Sequence, residues 1–193
     1  MASHRGGQLF RLILIKPSHY DDDGYVIQWL RSPIPANSLA CLYGLARDCR
    51  ERQVLGPNVD LDILAIDETN TRIRPDKIAR QIKQAGQGLV MLVGVQSNQF
   101  PRALDIAARL REQGVTVGIG GFHVSGTLAM LPTIEPSVQC ALDMGCFVYA
   151  GEAEEGRLDL VLRDAAAGSL KPIYNFMNDL PGIAQVPTPH MPA

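Results

Sequence analysis

Residues 9–17 read Leu9-Phe10-Arg11-Leu12-Ile13-Leu14-Ile15-Lys16-Pro17, and this stretch decides the fold. An apolar run from Leu9 to Ile15 that halts at Lys16-Pro17 has the length and bounds of a strand covered on both faces. The same signature returns at Asp62 to Ile66, Leu89 to Val95, Val115 to Ile119 and Cys146 to Ala150. Helical periods separate these runs, and alternation of that kind implies a parallel sheet with right-handed crossovers. The expected architecture is a flavodoxin-like, doubly wound α/β fold with a five-stranded parallel sheet in the order 2-1-3-4-5.

The first helix follows Asn37 or Ser38 as cap, with Leu39, Leu42, Tyr43, Leu45 and Ala46 spaced to face the sheet. Pro75-Asp76 opens a second helix through Ile78, Ile82 and Ala85, which Gly86 stops. Near Pro101 a third begins: Ala103, Leu104, Ile106, Ala107 and Leu110 point inward, Arg102, Arg109, Arg111 and Glu112 outward, and Gly114 closes it. Thr127 to Leu131 and Ser137 to Met144 are expected as short helices, and Glu154 to Ala167 as the last. The polar insertion Ser18 to Ala36, with its Asp21-Asp22-Asp23-Gly24 run, is too long for an ordinary connector and reads as a functional loop or lid. From Lys171 onward, Pro172, Pro181, Pro187, Pro189 and Pro192 argue against regular structure, so 1–170 is expected as the domain and 171–193 as an extended linker.

The chain's 193 residues suit one such domain, and 46% hydrophobic with 20% charged residues is the composition of a globule, not of a disordered chain. A formal net charge of −2 without any Lys/Arg block argues against nucleic acid as partner. No secretion signal or membrane-length apolar run is seen, so a cytoplasmic protein with no membrane partner is expected. Cys41, Cys49, Cys140 and Cys146 show neither CxxC pairing nor zinc spacing and suit a reducing compartment. Cys41 and Cys49 read as core or near-core thiols two helical turns apart, and Cys140 and Cys146 as buried small hydrophobes.

In open parallel sheets ligands bind outside the carboxyl ends of the strands. The unusual residues collect there: Pro17-Ser18-His19-Tyr20, Gln96-Ser97-Asn98, Gly120-Gly121-Phe122-His123 and Gly151-Glu152-Ala153-Glu154. Small residues let a bulky ligand approach the backbone, and the helices that follow present free N–H groups. The first strand has no GxGxxG after it, no GxxxxGK[ST] occurs, and the third strand ends without a phosphoacceptor Asp, which sets aside dinucleotide, P-loop and response-regulator functions. The acidic run at 21–23 has the oxygen chemistry of a hard-cation site but is more often simply solvated. His19 has the chemistry of an axial metal ligand, although a lone loop histidine is usually a hydrogen-bonding residue. His123 is placed either against a ligand or in a structural hydrogen bond. Glu152, Glu154 and Glu155 either suit the last helix's dipole or meet a partner.

Taken in order, Lys16-Pro17-Ser18-His19-Tyr20, Asn37-Ser38-Leu39-Ala40, Gly120-Gly121-Phe122-His123 and Gly151-Glu152-Ala153-Glu154 resemble the N-terminal cobalamin-binding domain of B12-dependent radical SAM proteins over roughly residues 9–170. The resemblance implies a cofactor-binding module that precedes a radical SAM catalytic domain, present in cis or in trans, with Asn178 to Ile183 similar to the linker between them. It implies cobalamin as ligand, its benzimidazole tail entering between the third and fourth strands. Ser97, Asn98, Gly120, Gly121 and His123 would line that slot, and the Ser18-to-Asp23 loop with His19 and Tyr20 would lie under the corrin face. Phe122, Gly151 and Glu152 belong to the same set of implied cofactor-binding residues. The DxHxxG fingerprint is missing, so no lower axial histidine is implied and the cobalamin would be base-off. No CxxxCxxC occurs, so this chain by itself holds no iron–sulfur cluster and cleaves no S-adenosylmethionine. The alternative is a cofactor-free scaffold whose edge docks the downstream barrel or a partner. Side chains filling the slot would favour it, and a stand-alone enzyme built on His19 or His123 ranks last.

Overall fold

In the computed structural model, which describes residues 7–30, 36–182 and 186–190, the opening run is strand β1 (Gln8–Lys16). It is paired in parallel on both sides, with β2 (Val59–Asp67) along its full length and with β3 (Gly86–Leu92) from Leu9 to Ile15. The remaining elements alternate as expected: α1 (Asn37–Glu51), α2 (Pro75–Ala85), α3 (Phe100–Glu112), β4 (Val117–Gly120), α4 (Phe122–Met130), α5 (Pro136–Asp143), β5 (Phe147–Ala150), α6 (Arg157–Ala167) and β6 (Ile173–Asn175). All pairings are parallel, in the order β2-β1-β3-β4-β5-β6. The fold is the doubly wound, flavodoxin-like α/β arrangement, extended by one strand.

Why β1 is apolar from Leu12 to Ile15 is plain from the two cores, and the one charge inside the run, Arg11, is paired with Asp62 of β2. Ile13 and Ile15 enter a cluster with α2 and α3, while Phe10, Leu12 and Leu14 enter a second cluster with α1 and α6 on the opposite face. Neither face is wet, so alternation would bury polar groups at a cost.

The sixth strand corrects the expectation of an irregular tail from Lys171. Pro172 lies just outside the strand and is used only through its carbonyl, which accepts from Val148 N–H at 2.9 Å, so its missing donor costs no ladder bond. Tyr174, 3% exposed, then packs edge-on against Phe147 and stacks on Tyr149. Aromatic burial outweighs the local proline signal.

Other differences are local. Ala36 occupies the N-cap of α1 without a side-chain bond, and Asn37 is already helical. The helix expected at Thr127 begins at Phe122, directly after Gly121. The last helix begins at Arg157, not Glu154. Arg111 is not a free surface cation: it donates to the carbonyls of Met144 and Val115, tying α3 to the turn before β5. Cys49 and Cys146 are buried and Cys41 is half-buried, but Cys140 is exposed, and all four are free thiols. Among the described residues no helix is long and apolar enough to cross a membrane.

Gly118 sits in the buried centre of β4 with the Phe147 ring packed where its Cβ would be, whereas Gly126 on α4 faces open space. Gly118→Ala is therefore expected to lower stability by about 1–3 kcal/mol in urea unfolding. Gly126→Ala should instead raise it by up to about 1 kcal/mol.

Candidate functional site

The carboxyl end of β1 runs into the long loop, and the loop is pegged from below. Ser18 is fully buried; its N–H donates to Glu68 Oε2 at 3.0 Å and its hydroxyl to the Ile27 carbonyl at 2.5 Å. Glu68, 1% exposed, stands just after β2 and receives Arg102 of α3, with Nη2 at 2.6 Å from Oε1 and Nε within 3.2 Å of both oxygens. Arg102 is thus turned inward, contrary to its expected outward position, because a buried carboxylate needs a charge-matched partner. Tyr20 joins the same network, donating to the Asp105 carboxylate and accepting from Arg102 at 3.3 Å. Burial, and then the Asp105 bond, push its phenol pKa up. Trp29 N–H is held by the Thr69 carbonyl at 2.7 Å.

Asp21 closes a tight turn by accepting from Asp23 and Tyr25 N–H, and Tyr20 bridges Val26 across it. Of the acidic run, Asp21 thus serves loop geometry, while Asp22 and Asp23 are exposed. Among the described residues no group of three or more His, Cys, Asp or Glu could hold a metal ion. His19 is half-buried, and its carbonyl accepts from Ile27 N–H at 2.9 Å. The pegged loop exposes large apolar groups, Tyr25, Trp29 and Leu30, together with the acids Asp21, Asp22 and Asp23.

At the ends of β3 and β4 the backbones touch. Val95 N–H donates to the Gly120 carbonyl at 3.1 Å and His123 N–H to the Val95 carbonyl at 3.0 Å. Gly121, at φ +136°, presses so closely on Gly94 and Val95 that no Cβ could stand there. The His123 ring lies over Phe100 at 4.1 Å between centroids, with Nδ1 3.2 Å from Ser97 Oγ and Nε2 3.2 Å from Ser137 Oγ. Glu135 stands 3.7 Å from Nε2 and binds the Ser137 hydroxyl, a bond that holds its carboxyl below the usual carboxylate range. Ser97 and Asn98 are exposed above this cluster. Phe122 points to solvent at 73% exposure. At the expected slot the turns after the third and fourth strands meet through their backbones and the His123 ring packs on Phe100, while Phe122 stands clear.

Gly151, at φ +99°, packs on Phe176, and its N–H donates to Ser125 Oγ at 3.1 Å. Glu152 is exposed and its carbonyl accepts from the Tyr149 hydroxyl at 2.6 Å. Glu154 Oε2 is buried without a hydrogen-bond partner among the described residues.

Neither a protein-family model nor a curated protein matches this chain.

Room for a ligand lies away from the expected slot. A cavity of about 510 Å³ opens between α1 and α6, walled by Leu45, Cys49, Arg52, Leu158 and Asp159 and reaching the Ala153–Gly156 turn at the carboxyl edge. Its walls are tied by Arg52, which grips both Asp159 oxygens at 2.6 and 2.8 Å, while the Cys49 thiol donates to Asp159 at 3.2 Å. Arg52 holds the Asp159 carboxyl below its ordinary value, and burial pushes the Cys49 thiol up. A second, more open groove of about 800 Å³ flanks β2, with Leu64 and Ile66 as floor and Arg72, Arg74 and Lys77 at its rim.

Sequence reasoning missed Glu68 and Asp159. Their partners are 34 and 107 positions away, so no local spacing announces them.

Two outcomes follow. Glu68→Gln leaves Arg102 buried without its counter-charge, and should cost about 3–5 kcal/mol in urea unfolding and change the emission of Trp29, the only tryptophan. For Asp159, a native pKa below the unfolded value means its contribution is complete above about pH 4 and is lost as pH falls through the lower native value. Asp159→Asn is expected to be less stable near neutrality and to show a shallower acid decline in pH-dependent unfolding.

Proposed function

We propose that this chain is a cobalamin-binding module of the radical SAM type, serving a catalytic domain in cis or in trans. The observation that carries the reading is a set of exposed large apolar side chains among the polar groups of the carboxyl edge. Large side chains that a monomer would normally cover, Tyr25, Trp29 and Leu30 after β1 and Phe122 after β4, stand in water at the end of a parallel sheet where ligands of this architecture bind. The resemblance of the Gly120–His123 and Gly151–Glu154 segments to cobalamin domains supports the same ligand.

Backbone contact between the turns after β3 and β4 argues for placing the benzimidazole tail elsewhere. The α1–α6 cleft has room for it, with a volume inside the roughly 300–1,000 Å³ of small-molecule sites. On this reading Leu45, Leu158 and Ala153 meet the tail, while Trp29, Tyr25 and Phe122 meet the macrocycle's apolar surface. Bound cobalamin would supply a cobalt centre able to carry a methyl group. His123, already shared between two serines, supports the edge from beneath, and Ser18, being fully buried, anchors the loop instead of touching a ligand.

The backbone contact of the β3 and β4 turns favours a second reading, a cofactor-free scaffold that docks a downstream barrel through the same edge. Titration with hydroxocobalamin separates the two. The module reading expects a shifted corrin spectrum, co-elution on gel filtration and quenched Trp29 emission at tens of micromolar, on the order of ordinary cofactor affinities. An unchanged spectrum with no retention would leave the scaffold.

A further inference from the structure

Gly44 lies buried in the interior of α1, where glycine is the poorest helix former after proline. Its backbone is ordinary helix, so nothing within α1 calls for it. The reason stands outside the helix: a Cβ at Gly44 would be 2.7 Å from the Thr188 carbonyl oxygen. One turn earlier, the Ala40 carbonyl accepts from His190 N–H at 3.0 Å, and the His190 ring stacks on Tyr43 with centroids 6.0 Å apart. Val186 and Pro187 of the same segment wall the cavity between α1 and α6. The chain's approach to it is held at two points by α6 and the turn before it. Arg157 grips Asp179 at 2.9 Å, and Glu155 accepts from Gly182 N–H at 2.7 Å.

We propose that Val186–His190 is a strap that closes the α1–α6 cleft, seated on Ala40, Tyr43 and Gly44, and that it lifts to admit whatever occupies the cleft. Its seat suits a removable cover. Thr188, Pro189 and His190 are exposed, Val186 and Pro187 are only half-buried, and among the described residues one backbone hydrogen bond and one ring stack carry the seated end. Segments with few buried contacts open locally at free energies far below global unfolding. Gly44 is the complementary half of the device, a notch in α1 that lets the strap's backbone lie flush. The strap is independent of the ligand's identity, so failure of cobalamin to bind would leave it standing.

The test reads the rate at which a neutral maleimide labels individual thiols in the full chain, resolved by mass spectrometry. Cys49 lines the cavity that Val186 and Pro187 also wall, Cys146 is buried on the opposite face of the sheet, and Cys140 is exposed. In Gly44→Ala the methyl group must displace Thr188. Cys49 labelling is then expected to rise about fivefold or more while Cys146 keeps its slow rate, the signature of local opening. His190→Ala, which alters only the exposed strap, is expected to move Cys49 the same way and serves if the first variant does not fold. The proposal is overturned if Cys49 labelling stays unchanged in the variant that folds, or if Cys49 and Cys146 rise together. It is equally overturned if Gly44→Ala simply raises Tm, as an unobstructed glycine-to-alanine change in a helix would, with Cys49 still protected.

Discussion

A parallel sheet needs cover on both faces, and here everything hangs on β1 receiving it. Its neighbours β2 and β3 hydrogen-bond along its two edges, α1 and α6 cover one face, and α2 and α3 the other. With its edges and faces thus occupied, β1 stands at the switch in strand order, and the chain leaves it at the one place where the sheet is open. That position obliges the loop after Lys16 to cross the carboxyl edge. It also makes Ser18, Glu68 and Arg102 the pegs that decide how the loop crosses. A buried Glu–Arg pair contributes little net stability against an apolar substitute, but it enforces a single arrangement because either charge left alone is costly.

The carboxyl edge divides into a closed half and an open half. Between β3 and β4, glycines allow backbone to meet backbone, and His123 is clamped by Ser97, Ser137 and Phe100. Glycines after strands are read equally well as space kept for a ligand or as close approach of two turns; at Gly121 the second holds. On the opposite face, α1 and α6 stand apart around a cavity whose walls are joined by the Arg52–Asp159 pair and to which Val186 and Pro187 also contribute. Ligand space and rigid clamp thus occupy different faces of one sheet.

Much of the fold was legible in the sequence because its signals are local. Apolar runs of strand length, Pro75 and Gly86 at the ends of α2, and the stripe Ala103, Ile106, Ala107, Leu110 on α3 each act within a few residues. β6 was not legible: its three residues carry no run, and only stacking of Tyr174 with Tyr149 and Phe147 makes them a strand. The start of α4 was misplaced for a related reason. Gly-Gly before Phe122 suggests a loop, yet the strand ends at the first glycine and the second is the N-cap, leaving no residue free between them.

By itself the sequence determined the fold class, the strand order apart from its last member, and the edge at which the polar and glycine residues gather, since period and punctuation are properties of neighbours along the chain. The tertiary structure alone decided that Ser18 is buried, that Arg102 faces inward, that His123 packs on Phe100 between two serines, and that a cavity lies between α1 and α6 with residues 186 and 187 in its wall. Each of these depends on charge pairing, ring packing or backbone contact between residues far apart in sequence, and such partners meet only when the sheet has closed.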